Sequence, residues 1–154
     1  MSAFVASGDE PAGVTINSDE FWPGIDLDAL RDDMRIGADV SPAKLETAVV
    51  AALLNVNRQL VKWQAQQLDQ GYTTLSQVPA KQVNGESTLV LHYQRAVRCA
   101  TAAELLERYR GYDTTNSGNQ NAEERTPSID EYRRDLAWAL SDLVNRPRST
   151  VELI

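Results

Sequence analysis

The spacing of apolar residues along the chain predicts four helices, two of them long. The strongest pattern begins at Ser41-Pro42, a helix cap followed by proline at the first helical position. From there to Gly71 apolar residues recur every three or four positions, which predicts a helix about 40 Å long. Its inner stripe is Leu45, Val49, Leu53, Val56, Leu60 and Trp63. A second long helix begins near Ser87, with one apolar face formed by Tyr93, Val97, Ala100, Ala103, Leu106 and Tyr109.

Two shorter helices are predicted from their end signals. Asp26 is a suitable N-cap for a helix over residues 27–35, which Gly37 would end. The last helix begins either after Thr126-Pro127 or at Ser128, where Glu131 three residues later would complete a capping box. It stops before residues 145–147, and its predicted inner face is Ile129, Tyr132, Leu136, Ala139 or Leu140, and Leu143.

The remaining segments lack helical periodicity. Residues 1–20 predict a mobile arm. Residues 72–86 contain Pro79 and the turn signal Asn84-Gly85, so they predict a loop or a small hairpin. The end of the chain alternates like a strand, and it is either a frayed tail or an addition to the sheet edge of another subunit or protein. The predicted class is all-α, with an arm (1–20), a helical domain (21–145) and an extended tail (146–154).

The composition limits the classes of structure and of partner that the chain can have. The 154 residues are 42% hydrophobic but only 6% aromatic, which favours a helical core built from Ala, Leu and Val. The net charge of -7 argues against sequence-independent wrapping of nucleic acid. The single Cys99 is expected to be a buried structural thiol in a cytosolic protein. No run approaches the ~20 apolar residues that a membrane span needs, so no membrane partner is expected.

The sequence contains no recognisable set of catalytic residues. One His and one Cys cannot form a closed zinc site, and His92 and Cys99 lie two helical turns apart. No glycine-rich phosphate loop and no nucleophile elbow is present. We therefore expect no enzyme, no metal and no cofactor. The polar stretch over residues 111–127 is long for a connection between two helices, which favours a role in binding or assembly.

Several segments resemble one protein family in order and spacing. They are Phe21-Trp22-Pro23 with Ile25, residues 28–35, Val56-Asn57-Arg58-Gln59-Leu60 with Trp63, Tyr93-Gln94-Arg95-Ala96-Val97, residues 107–113, Tyr132-Arg133-Arg134-Asp135 with Trp138, and residues 146–154. Over about residues 13–154 the chain resembles the head completion protein (gpL type) of contractile-tailed bacteriophages. The resemblance implies a structural virion protein that completes and stabilises the DNA-filled head.

The same resemblance implies a place and a set of partners. Copies of the chain would form a ring in the neck, at the head-tail junction of the virion, after assembly in the host cytoplasm. The expected partners are other copies, the portal protein and a neck or tail-terminator protein. Genomic DNA would pass through without specific binding, and the negative net charge is compatible with such a channel. The rival interpretation is a small acidic helical adaptor that binds a host protein.

Contacts between chains are expected from the 111–127 loop, the tail and a few large or basic side chains. The predicted interface residues are Phe21, Trp22, Arg108, Tyr109, Arg110, Tyr112, Arg148, Val151, Leu153 and Ile154. For Phe21 and Trp22 the alternative is packing onto their own bundle.

Overall fold

Four helices and two short antiparallel ribbons form the described part of the computed structural model, which comprises residues 13–109 and 127–148. The helices are α1 (Leu27–Asp33), α2 (Pro42–Asp69), α3 (Thr88–Tyr109) and α4 (Ile129–Leu143). The first ribbon pairs β1 (Thr15–Ile16) with β2 (Ile25–Asp26), and the second pairs β3 (Gln82–Val83) with β4 (Glu86–Ser87). The four predicted helices are confirmed, but the two ribbons make the class mostly helical instead of all-α.

The ends of α2 and α4 follow the cap signals in the sequence. Ser41 Oγ accepts the backbone amide of Lys44 at 3.3 Å, as expected of an N-cap. Beyond the end of α2, Gly71 adopts φ +93°, a conformation that costs glycine little. Of the two predicted starts of α4, Ser128 is the right one, because it forms a reciprocal capping box with Glu131.

Helix α1 is shorter than the sequence predicted. It ends at Asp33, before Gly37 is reached, and Arg35 leaves the helix with φ +51°. The guanidinium of Arg31 donates to the carbonyls of Gly37 at 3.0 Å and Val40 at 2.9 Å. The helix itself ends in a backbone turn, in which the amide of Ile36 donates to the carbonyl of Arg31 at 3.0 Å across the positive-φ residue Arg35. The Arg31 side-chain bonds then hold the α1–α2 connection back against α1.

Part of the predicted mobile arm is ordered. Residues 13–20 contain β1 and then run along α2, where Asn57 Nδ2 donates to Ser18 Oγ and Gln64 Nε2 donates to Asp19 Oδ2, both at 3.0 Å. The prediction was wrong for these residues because their partners lie about forty positions away, where no local pattern reports them. Residues 1–12 lie outside the described residues.

Between α2 and α3 the hairpin alternative is the correct one. Asn84 and Gly85 form its turn with φ +53° and +76°, the two positive values that a tight type I′ turn requires. A single 3-10 turn (Leu75–Gln77) precedes the hairpin and packs against the start of α3.

Helix α3 lies at the centre of the bundle. It packs against both α2 and α4, whereas α2 and α4 barely touch one another. The sequence predicted one buried face for α3, but burial extends around most of the helix because it has a neighbour on either side. The buried residues of α3 are Val90, Tyr93, Ala96, Val97, Cys99, Ala100, Thr101, Ala102, Ala103 and Leu105. The predicted Leu106 is only partly buried, and Leu105 takes the core position instead.

Candidate assembly interface

Arg108 and Tyr109 lie at the C-terminal end of α3. Arg108 Nε donates to Glu104 Oε2 at 3.0 Å, one helical turn back, and both side chains remain substantially accessible. Tyr109 is half-buried, and the ammonium of Lys44 lies 4.9 Å from the centre of its ring. An exposed ion pair of this kind contributes little to stability, so Arg108 can exchange Glu104 for a partner's carboxylate at small cost.

Arg148 lies at the C-terminal end of α4. Its guanidinium donates twice to the carboxylate of Asp142, at 3.1 and 2.6 Å, and sits 4.8 Å from the ring of Trp138. The Arg134 guanidinium contacts the same ring at 4.6 Å. The hydrogen bond from Arg148 holds the pKa of Asp142 below its usual range. Trp138 and Asp142 therefore hold the side chain of Arg148 in place.

The structure places these two patches at opposite ends of the bundle. Arg133 at the start of α4 pairs with Glu107 at the end of α3 at 3.0 Å, so the two helices run antiparallel. Fifteen residues of α4 separate its ends, a distance of about 22 Å. Arg108 and Arg148 therefore belong to two separate surfaces. The other predicted interface residues fall outside the described residues: Arg110, Tyr112, Val151, Leu153 and Ile154.

Phe21 and Trp22 are core residues. Trp22 is 4% exposed and stacks on Tyr93 with 4.7 Å between ring centres and 6° between ring planes. Phe21 meets Trp22 edge-on at 4.7 Å, and Trp63 completes the cluster. The interface prediction for Phe21 and Trp22 is wrong for this chain, because neither ring is accessible. Packing onto their own bundle is the alternative that the structure supports.

A polar relay joins the same cluster to α2. The hydroxyl of Tyr93 donates to Asn57 Oδ1 at 2.8 Å, and Asn57 in turn donates to Ser18. Burial raises the pKa of Tyr93 above its ordinary value. Trp22 Nε1 has no hydrogen-bond partner among the described residues. The arrangement ties the segment before Phe21 to both long helices, which is a structural role and not a reactive one.

The chemistry available elsewhere is sparse in the part of the chain that the structure describes. Residues 13–109 and 127–148 contain no cluster of His, Cys, Asp and Glu that could hold a metal ion. Cys99 is buried, as predicted, and burial raises the pKa of its thiol, which makes it a poor nucleophile. None of the described helices is both long and apolar enough to cross a membrane.

Two features of the surface were missed by the sequence analysis. Trp138 was quoted only as part of a motif, although it contacts two guanidinium groups. The second feature is a row of exposed aliphatic side chains on α2, which we name the outer row: Val50, Leu54, Val61 and Leu68. Their spacing of four, seven and seven residues is visible in the sequence. It was overlooked because the core-facing stripe of the same helix is the stronger periodic pattern.

Comparisons with known proteins agree with one another. The family described as phage head completion protein (GPL) matches residues 16–154. A head completion/stabilization protein of Escherichia phage P2 is 37% identical over 148 residues, which cover 96% of this chain and 86% of the relative. No solved structure matches the chain.

Proposed function

Since the chain belongs to the phage head completion protein family, we propose that it completes and stabilises the DNA-filled head as a ring of copies in the neck, between portal and tail. The observation that carries the proposal is the extent of the similarity, which reaches from β1 through α4 to the last residue. The relative from phage P2 is described as a head completion/stabilization protein. We propose a structural role for the chain, without catalysis or a cofactor.

The architecture suits a ring. A closed ring needs heterologous contacts, in which each copy presents two different faces to its two neighbours. A bundle with a central helix and two outer helices offers such faces along its length. Its two ends carry different groups, with Arg108 and Tyr109 at one end and Arg148 with Trp138 at the other. We assign contacts with the portal and with a neck or tail-terminator protein to these ends.

The charge balance supports passage of DNA without binding. With 22 acidic and 15 basic residues the chain repels phosphate overall. The basic side chains that pair with carboxylates in the described residues include Arg98, Arg108, Arg133, Arg134 and Arg148. A surface of paired charges would not hold the genome as it leaves the head.

The test is attachment to particles. The purified full chain is mixed with DNA-filled, tail-less phage heads that lack this protein, and the heads are sedimented. We expect many equal copies on each head and protection of the packaged DNA from nuclease. A chain that stays in the supernatant as a monomer would overturn the proposal and favour an adaptor for a host protein.

A deletion variant and a control variant test the role of the tail. Deletion of 149–154 keeps Arg148 and its contacts with Asp142, so the bundle should fold with unchanged circular dichroism. We expect this deletion to reduce attachment to heads. The matched control, Arg98→Ala, removes an exposed ion pair with Asp33 in the middle of α3, away from both ends, and should attach normally. Full attachment of the deletion variant would show that the tail is not an assembly element.

A further inference from the structure

The outer row is the main exposed apolar feature of the described residues. Four of their six large exposed hydrophobic side chains lie on this one helix, and Leu54 is 70% exposed. At about 100° per residue the four fall within an arc of about 40°, roughly 140° away from the core-facing stripe. From Val50 to Leu68 the row is about 27 Å long. One helix therefore has two apolar faces, of which only one is covered by the bundle.

The surroundings of the outer row define its borders. On one side, residues 13–20 run along α2, where Ser18 and Asp19 bond to Asn57 and Gln64. On the other side lie Arg58 and Lys62, both exposed. The row is thus an apolar strip with polar margins. Protein interfaces have the same arrangement, with an apolar buried core and a polar, solvent-accessible rim.

The outer row runs along the flank of the bundle and not across an end. The ammonium of Lys44, in the first turn of α2, lies over the ring of Tyr109 at the end of α3. The 3-10 turn that follows α2 packs against the start of α3. Helix α2 is therefore antiparallel to α3, and the row is parallel to the length of the bundle. Partners above and below in a neck would meet the ends, whereas a neighbour beside the bundle would meet this row.

We propose that the outer row is a lateral contact with a second copy of this chain. The inference rests on the proposed ring, in which each copy lies beside two others. The exposed apolar area of the four side chains is on the order of 400 Å², against about 800 Å² that each partner buries in a stable interface. Because more than half of such an interface is apolar, the row has about the size of one apolar interface centre. Spacings of four and seven residues are those by which one helix packs along another.

The decisive experiment identifies what covers Leu54. The photo-crosslinking residue p-benzoyl-phenylalanine replaces Leu54 in the full chain, the protein is bound to tail-less heads, and the sample is irradiated. We expect a product of twice the chain mass, about 34 kDa from the 17.1 kDa of one copy, with both linked peptides from this sequence. A link to a portal or tail peptide, or no link, overturns the inference and leaves the proposed function standing.

A pair of charge variants tests whether disrupting the outer row weakens the loading of heads. Leu54→Asp with Val61→Asp lowers the net charge by two and places both charges in the outer row. Gln59→Asp with Gln66→Asp also lowers it by two, at two exposed positions of the same helix with the same seven-residue spacing, but outside the row and its polar margins. Neither change touches the core, so the urea midpoints should stay close to wild type. We expect about 100-fold weaker loading of heads only for the variant that carries Leu54→Asp and Val61→Asp. Equal loading of the two variants would contradict the inference.

Failure of the proposed function gives a different result. If the wild-type chain never sediments with heads, the crosslinking protein is irradiated alone at millimolar concentration. A product of two copies would still support the second copy as the occupant of the row. A monomer with no product would overturn both the inference and the ring.

Discussion

Replacing Tyr93 by Phe should destabilise the protein by about 1 to 2 kcal/mol without disturbing its packing. The ring of Tyr93 is fully buried and stacks on Trp22, and phenylalanine preserves that stack. What is lost is the hydroxyl, which donates to Asn57 Oδ1 at 2.8 Å. A net hydrogen bond is worth about 0.5 to 1.5 kcal/mol, and an acceptor left without its partner adds part of its desolvation cost. Asn57 is only partly buried, so water limits that second cost.

A double-mutant cycle tests whether the energy belongs to this bond. Asn57→Ala removes the contacts with both Tyr93 and Ser18, including the acceptor to which the buried hydroxyl donates. In that background Tyr93→Phe should cost nothing or even stabilise, which gives a coupling energy of about 1 to 2 kcal/mol. Urea unfolding followed by circular dichroism measures each variant, with an unchanged m-value. The melting temperature should fall by about 2 to 4 °C per kcal/mol.

Tyr72→Phe is the matched control. Tyr72 is only partly buried, unlike Tyr93, and its hydroxyl has no hydrogen-bond partner among the described residues. Its replacement should change stability by less than about 0.5 kcal/mol. If Tyr93→Phe proved neutral, or if its effect simply added to that of Asn57→Ala, the relay would not be a source of stability. The segment before Phe21 would then have to be held by apolar packing alone.

Three further predictions concern the helices and their ends. Ser128→Ala should cost about 1 kcal/mol in urea unfolding by removing the cap of α4, and a neutral result would refute the capping box as a source of stability. Leu53→Ala, at a side chain 6% exposed, should cost about 2 to 5 kcal/mol, whereas Leu54→Ala, at its exposed neighbour, should cost less than about 1 kcal/mol; similar costs would contradict the orientation of α2. The hydrogen bond from Arg148 lowers the pKa of Asp142 in the folded state. The ionised carboxylate therefore stabilises the fold at pH values above the unfolded pKa of about 3.9, and this contribution is lost as the pH falls through the lower, folded pKa. Asp142→Asn should therefore lose less stability than wild type between pH 5 and pH 2, and an unchanged pH profile would contradict this.

The helices could be predicted because their signals are local. The proline after Ser41, the capping box at Ser128 and the periodic stripe of α2 each lie within a few residues of the element they define. The ordered part of the predicted arm could not be found in this way. Its strand has two residues, too few to show alternation, and its anchors on Asn57 and Gln64 are brought near only by folding.

The position of α3 was also beyond a local pattern. Small residues such as Ala100, Thr101 and Ala102 do not mark one face, and their burial on several sides depends on the two outer helices. The same limit applies to the predicted interface. Residue type alone suggested Phe21 and Trp22 as contacts, but whether an aromatic ring meets a partner or its own core depends on neighbours such as Tyr93 that are distant in the sequence.

A lateral contact through the outer row has a consequence for the order of assembly. Complete burial of about 400 Å² of apolar surface contributes on the order of 10 kcal/mol. Loss of translational and rotational freedom costs about 4 to 15 kcal/mol, which offsets a large part of that gain or all of it. One lateral contact by itself is therefore expected to be weak. On a head, end contacts with the portal would hold copies side by side at high effective concentration, and the lateral contacts would then form together.

We accordingly expect the free chain to be a 17.1 kDa monomer at about 1 μM by sedimentation velocity, and to load heads cooperatively. At protein amounts below saturation, single particles should carry either no copies or a complete set, which counting of fluorescently labelled chains can resolve. The double variant Leu54→Asp with Val61→Asp should load independently and incompletely, because its end contacts remain while its lateral contacts are lost. Stable rings in the free protein at nanomolar concentration would show that the lateral contact is much stronger than the outer row allows, and that a second, larger interface closes the ring.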